Sequence, residues 1–198
     1  MFSAQSADVD ERTVKGETPS DYVTRLAREK ALACSQYAHS GHIVVAADTA
    51  VVDGKDILGK PKNMPEANSM LQQLRNHIHQ VYTGIAVMRM RDGNMVTDLC
   101  ITDVPMRDYS DEEVNIYVMT GDPLDKAGGY AIQHPRFKPV ESLNGCYASV
   151  MGLPLCHLSR ALRQLNVMTP ADVSGNCQSA LDYQCPIFSA VLLGENVG

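Results

Sequence analysis

An α/β fold is what this 198-residue sequence predicts. Three features carry the expectation. An apolar, β-branched run, "HIVVAAD", directly follows a helix-patterned segment; two strand-like arms, "HQVYTGIAVMRM" and "NMVTDLCITDVPMRDY", form a long ribbon; and further helical periodicities flank that ribbon on both sides. Hydrophobic residues make up 44% and charged residues 20%, so the chain has material for one real core and composes as a folded protein.

In order, "TPSDYVTRLAREKALACSQYAHSG" predicts the first helix. Thr18 caps it, Pro19 suits its first turn, Val23, Leu26, Ala27, Ala31, Cys34 and Tyr37 recur at helical spacing, and Gly41 ends it. "HIVVAAD" then reads as a strand buried on both faces, with Asp48 at its C-terminal end, where open α/β sheets place their ligands. "VVDGKDIL" reads as a tight hairpin, because Asp-Gly suits turns that need a positive φ. "MPEANSMLQQLRNHI" predicts a second helix, with Ala67, Met70, Leu71, Leu74 and Ile78 on its apolar side. The ribbon arms meet across Arg91-Asp92-Gly93. "SDEEVNIYVMTG" carries a capping box from Ser110 to Glu113 and a stop at Gly121, which makes a third helix. "RFKPVESLNG" reads as a strand, and "LPLCHLSRALRQLNV" as a final amphipathic helix with Leu155, Leu158, Leu162 and Leu165 on one side. The character changes after Val167, so the expected division is a body over 1–167 and an extension over 168–198, whose apolar patch from Ile187 to Leu193 either packs back onto the body, the favoured reading, or meets a partner.

Charge and cysteine usage exclude several classes. The formal net charge of -6 argues against a nucleic-acid polymer or an acidic membrane as partner. The six cysteines show no CxxC pair and read as reduced thiols of a cytoplasmic protein. No apolar run suits a spanning helix, and the start "MFSAQSADVDERTVKGE" has neither a basic region nor an apolar core of a leader.

Among the polar motifs, Gly54, Gly59 and Lys60 match GxxxxGK, but Pro61 supplies neither the hydroxyl nor the N–H that a phosphate loop needs, so that reading is rejected. Asp48, Lys30 on the apolar stripe of the first helix, and Lys60 each have an ordinary alternative as a capping, snorkelling or turn residue. In "GDPLDKAGGYAIQ", the two glycines after Lys126 allow a close backbone approach. His77 and His79 form an HxH pair without a third ligand in register and are taken as non-ligands.

Taken together and in order, "DVDE", "LAREKA", "AADTAVV", "LGKP", "VYTGIAV", "YVMTGDPLDKAGGYAIQ" and "VMGLPL" resemble the Maf family of nucleoside triphosphate pyrophosphatases, from about Asp8 to Leu165. The resemblance implies an α/β mixed sheet with two lobes around a cleft, related to the inosine triphosphate pyrophosphatases. It implies hydrolysis of a nucleoside triphosphate to the monophosphate and pyrophosphate with a divalent cation, usually magnesium, in a homodimer. Carried across, it makes Asp48 the catalytic carboxylate, with Glu11, Lys30 and Lys60 as polar cleft residues and Lys126 as a further phosphate contact. Glu11 and Asp48 would hold the metal, and Thr49 with Gln133 would mark the subgroup acting on dTTP and UTP. The physical logic is a base to orient water and fixed positive charge for the departing pyrophosphate.

One departure accompanies the resemblance. Family members open with a strand and an "SxSPRR" phosphate loop, a motif this sequence does not contain. Three explanations are open: a misplaced start, an impaired enzyme, or a missing element supplied by another chain. The rival function from a different class is a non-catalytic nucleotide-binding or regulatory module that has lost the phosphate-binding loop.

Overall fold

The computed structural model describes residues 2–198. Its first helix, α1 (Pro19–Ser35), begins as expected, with the Thr18 side chain accepting from the Asp21 N–H. It stops at Ser35, ahead of Gly41, because residues 36–42 form turns closed by their own backbone bonds. Strand β1 (Ile43–Asp53) runs past Asp48: the residues that follow, Thr49, Val51 and Val52, keep the chain extended up to the Asp-Gly turn, where Gly54 takes φ +61°. Asp48 is therefore mid-strand, a correction to its expected place at a strand end. Strand β2 (Asp56–Leu58) returns along the end of β1.

Helix α2 (Met64–Leu74) ends before Ile78, which instead opens β3 (Ile78–Arg89) and is exposed. Strand β4 (Asn94–Pro105) completes the ribbon, and the sheet order is β2-β1-β3-β4. The α/β expectation is met, and within this sheet every pairing is antiparallel. Helix α3 (Asp111–Met119) carries the expected capping box, and Gly121 just beyond it takes φ +76°. Two 3₁₀ turns, Asp122–Asp125 and Ala127–Gly129, follow. "RFKPVESLNG" is not a strand. Only an isolated Met106–Val140 bridge forms there, because Lys138 sits at φ +43° before Pro139, and Arg107 binds the carbonyls of Phe137 and Lys138 at 2.6 and 2.8 Å.

Short helix α4 (Tyr147–Val150) leads to α5 (Leu155–Gln164), which is not the last: α6 (Val173–Leu181) and α7 (Phe188–Leu193) come after it. The even-numbered residues of β1 and β3 meet α1 through Ala27, Ala31, Val44 and Ala86. Odd-numbered ones meet α5 through Ile85, Val87, Ala161 and Leu165. Farther along the ribbon, Val51, Val81 and Val104 pack with α2, α3 and Tyr130 in a separate core. The cleft lies between these two packed regions. Val45 is 41% exposed, so the first half of β1 is not the doubly buried strand that its composition suggested.

The segment after Val167 packs on the α4–α5 region. Cys177, Leu181 and Ile187 lie against Cys100, Cys146 and Ala148, and Arg160 pairs with Asp98 at 2.6 Å while donating to the Glu195 carbonyl at 2.6 Å. All six cysteines are free thiols. No described helix is long and apolar enough to cross a membrane.

Candidate active site

Adjacent residues of a strand face opposite sides of its sheet, and β1 uses this to build two half-sites from Asp48 and Thr49. Asp48 faces α1. The Lys30 ammonium donates to Asp48 Oδ1 at 2.6 Å and lies 2.8 Å from Glu11 Oε1, bridging the two carboxylates. Helix α1 comes this close because Gly84 stands opposite Asp48 in the ladder: a Cβ on Gly84 would lie 2.7 Å from the Val23 carbonyl oxygen.

Glu11 belongs to a segment without regular structure, so α1 has to hold it in place. Tyr22 Oη donates to the Glu11 carbonyl at 2.8 Å, and Arg25 Nη2 donates to the Arg12 carbonyl at 3.2 Å while its Nε binds Glu17 at 2.6 Å. Tyr22 and Arg25 were not among the expected site residues. A tyrosine and an arginine on a helix give no local signal of such a clamp.

The electrostatics separate the two carboxyls. Burial pushes the pKa of Asp48, 8% exposed, above the usual carboxylate range, and the Lys30 bond only partly counters it. The Lys30 bond holds the more exposed Glu11 below that range. For Lys30 itself, burial works against the charge, but the bonds to Asp48 and Glu11 outweigh it and raise the pKa. The result is a carboxylate with elevated proton affinity, the property a general base requires.

Lys60 follows β2 in the loop "GKP" and has no carboxylate partner among the described residues. The double glycine acts as expected: Gly128 donates to the Gly59 carbonyl at 3.1 Å, and at φ +68° its missing Cβ would lie 2.9 Å from both Val51 methyls. The 3₁₀ segment is thereby seated on β1 and fixes the Lys60 loop. Lys126 is differently placed. Its ammonium is bonded to the Asp122 carbonyl at 2.9 Å, the Asp122 carboxylate at 3.1 Å and the Asp125 carboxylate at 2.6 Å, so its charge is taken up within its own turn.

On the opposite face of β1, Thr49 Oγ1 lies 2.9 Å from Thr83 Oγ1, and Thr83 donates to the Ser149 carbonyl at 2.9 Å. Gly152, beyond α4, stands beside Thr49. Gln133 is exposed on a turn whose start is fixed by Tyr117, which accepts from the Ala131 N–H at 3.0 Å and donates to Asp122 at 2.6 Å. Glu11, Lys30, Asp48, Thr49, Lys60, Lys126 and Gln133 all line one open cavity of about 320 Å³, in the range of small-molecule sites. His77 and His79 are elsewhere. His77 bonds Asp53 at 3.0 Å, and buried His79, its pKa lowered by burial to about 4, bonds Tyr130 Oη at 2.8 Å. Among the described residues, no group of three or more His, Cys, Asp or Glu could hold a metal.

Fold and cleft together define a two-region α/β protein whose cavity is built around a buried carboxylate, with linked ion pairs on one face of β1 and paired threonine hydroxyls on the other. Residues 1–165 match the family profile described as "Maf-like protein". The chain is 41% identical over 167 residues to the dTTP/UTP pyrophosphatase of Geotalea uraniireducens, covering 84% of this chain and 86% of that one. It is 42% identical over 168 residues to the dTTP/UTP pyrophosphatase of Geobacter sulfurreducens, covering 84% and 87%. With the protein of that name from Anaeromyxobacter dehalogenans it is 43% identical over 171 residues, covering 85% and 86%. The chain belongs to the Maf family.

Proposed function

We infer that this chain is a nucleoside triphosphate pyrophosphatase acting on UTP and dTTP. Family membership and identity of about 40% to dTTP/UTP pyrophosphatases over most of the chain support the activity. The observation that carries the mechanism is the buried Asp48 carboxylate, held by Lys30 in a cavity that also receives Lys60 and Gln133. Water attacks the α-phosphorus and gives its proton to Asp48. The bond from the α-phosphorus to the bridging oxygen breaks, and the electron pair leaves on pyrophosphate. Lys60, unpaired by carboxylates, supplies fixed positive charge to the phosphates, and Lys126 reaches them only by loosening its bonds to Asp122 and Asp125.

A divalent cation fits the donor set. Magnesium is commonly held by one or two carboxylates together with substrate phosphates, and Glu11 and Asp48 present two carboxylates to a shared cation, Lys30, with no third acidic ligand among the described residues. Glu11 and Asp48 would hold magnesium, which when bound neutralises phosphate charge. Homodimeric association belongs to the same proposal and is checked by sedimentation of the purified chain.

The test is pyrophosphate release with magnesium over UTP, dTTP, CTP, GTP and 7-methyl-GTP, alongside Asp48→Asn. Release selective for UTP and dTTP and lost in the variant is the expected result. Nucleotide binding without release would replace the enzyme with the binding-module alternative.

A further inference from the structure

Thr83 has no part in the chemistry above, yet it is wholly buried and bonded on two sides. A threonine hydroxyl has one proton and two acceptor positions. The Ser149 carbonyl, 2.9 Å away, can only accept, so the Thr83 proton is committed to it. That carbonyl is also bound by the Gly152 N–H at 2.8 Å, which holds it in place from the other side. In the 2.9 Å contact between Thr83 and Thr49, the donor must then be Thr49. Having given its proton inward, the Thr49 hydroxyl meets an occupant of the cavity with lone pairs alone.

We propose that Thr83 is a positioning residue that fixes the hydrogen-bond polarity of Thr49, so that Thr49 accepts from the ring N–H of a uracil or thymine base and opposes the ring lone pair of cytosine. This rests on the pyrimidine-triphosphate reading of the same site and says how that site chooses among pyrimidines. Strand alternation supports the placement. Asp48, Lys30 and Glu11 form their ion pairs on the α1 face, while Thr49 lies on the opposite face of β1, beside the part of the cavity lined by Val150, Met151 and Gly152. Gln133, with a donor and an acceptor on one amide, can serve the groups flanking the ring N–H. A cytosine would set its lone pair against that of Thr49, an unmade buried hydrogen bond that a rotatable hydroxyl would avoid by turning.

The test begins with the native chain and steady-state kinetics on UTP, CTP and 3-methyl-UTP, which lacks the ring N–H. Thr83→Val and Thr83→Ser follow, each checked for a cooperative melt. Native protein is expected to favour UTP over CTP and to leave 3-methyl-UTP unhydrolysed. In Thr83→Val the UTP-to-CTP ratio of kcat/KM should fall about tenfold or more, through KM rather than through kcat on UTP, and Thr83→Ser should keep the native ratio. Hydrolysis of 3-methyl-UTP at the UTP rate overturns the proposal, as does an unchanged ratio in a folded Thr83→Val or a Thr83→Ser that loses it. Should Thr83→Val not fold, the 3-methyl-UTP result stands by itself. A native chain that hydrolyses no UTP defeats the enzymatic reading instead, and calorimetric binding of UTP, CTP and 3-methyl-UTP then tests the polarity of Thr49 separately.

Discussion

On the α1 face of β1, Asp48, Lys30 and Glu11 form one chain of ion pairs, in which burial raises the proton affinity of Asp48 while the Lys30 bond lowers that of Glu11. On the other face, one residue along, Thr49, Thr83 and the Ser149 carbonyl are all neutral, and what is fixed there is the direction of each proton. The two arrangements answer different needs. Proton transfer requires a group whose proton affinity has been moved toward the working range, which burial beside a single cation achieves. Recognition of a base requires groups whose protons stay put, and hydroxyls bonded to a fixed carbonyl provide that.

The largest expected effect comes from removing the base. Asp48→Asn keeps the shape of the charged face but cannot take a proton, so kcat should fall by about 10³, equally on UTP and dTTP. Unequal losses would show that the two faces are not separable. Lys30→Met should cost about 10², with a pH signature. In the proposed reaction ionised Asp48 is the active form, and its pKa is already raised by burial; without the Lys30 cation, and with Glu11 nearby, it rises further. The acid limb of kcat/KM, which marks protonation of the base, therefore moves to higher pH in Lys30→Met. A limb that stays put or moves down would mean that another group is the base.

The third effect concerns what brings the charged face together. Gly84→Ala places a methyl against the Val23 backbone, which cannot swing aside as a side-chain tip would. Overpacking of this kind costs roughly 1–3 kcal/mol, read as a lower Tm, and should reduce turnover on every nucleotide without altering the UTP-to-CTP ratio. An altered ratio with a native melt would place α1 in base selection and break the division between the faces.

What the sequence made legible is what local chemistry encodes. Thr18 and Pro19 start α1, Ser110 and Glu113 box α3, and Asp53-Gly54 turns the hairpin, each through groups within a few residues of one another. The motif segments also brought all seven expected side chains to one cavity. Hidden were the features that depend on tertiary contact. "HIVVAAD" stops being apolar at Asp48 and so suggests a strand end there, whereas pairing with β3 carries β1 through the polar step to Val52. Glu11 reaches Lys30 only because Tyr22 and Arg25 hold its segment to α1, and nothing in "DVDE" announces that. One tertiary feature does carry a local signal, since Gly84 inside the strand segment "YTGIAV" marks a close approach by its position alone.

The smallest expected effect belongs to Gln133. Its side chain is exposed and held only through the turn that Tyr117 anchors at Ala131, so its bonds to a base form in competition with water. Such a bond contributes about 0.5–1.5 kcal/mol, which limits the change in preference for UTP over CTP in Gln133→Ala to about tenfold. Because Gln133 stands apart from the Lys30 ion pairs, kcat on UTP should change less than this ratio does. Equal losses on all nucleotides would move Gln133 from base selection to the chemical step, and base selection would then rest on Thr49 and its hydroxyl partner.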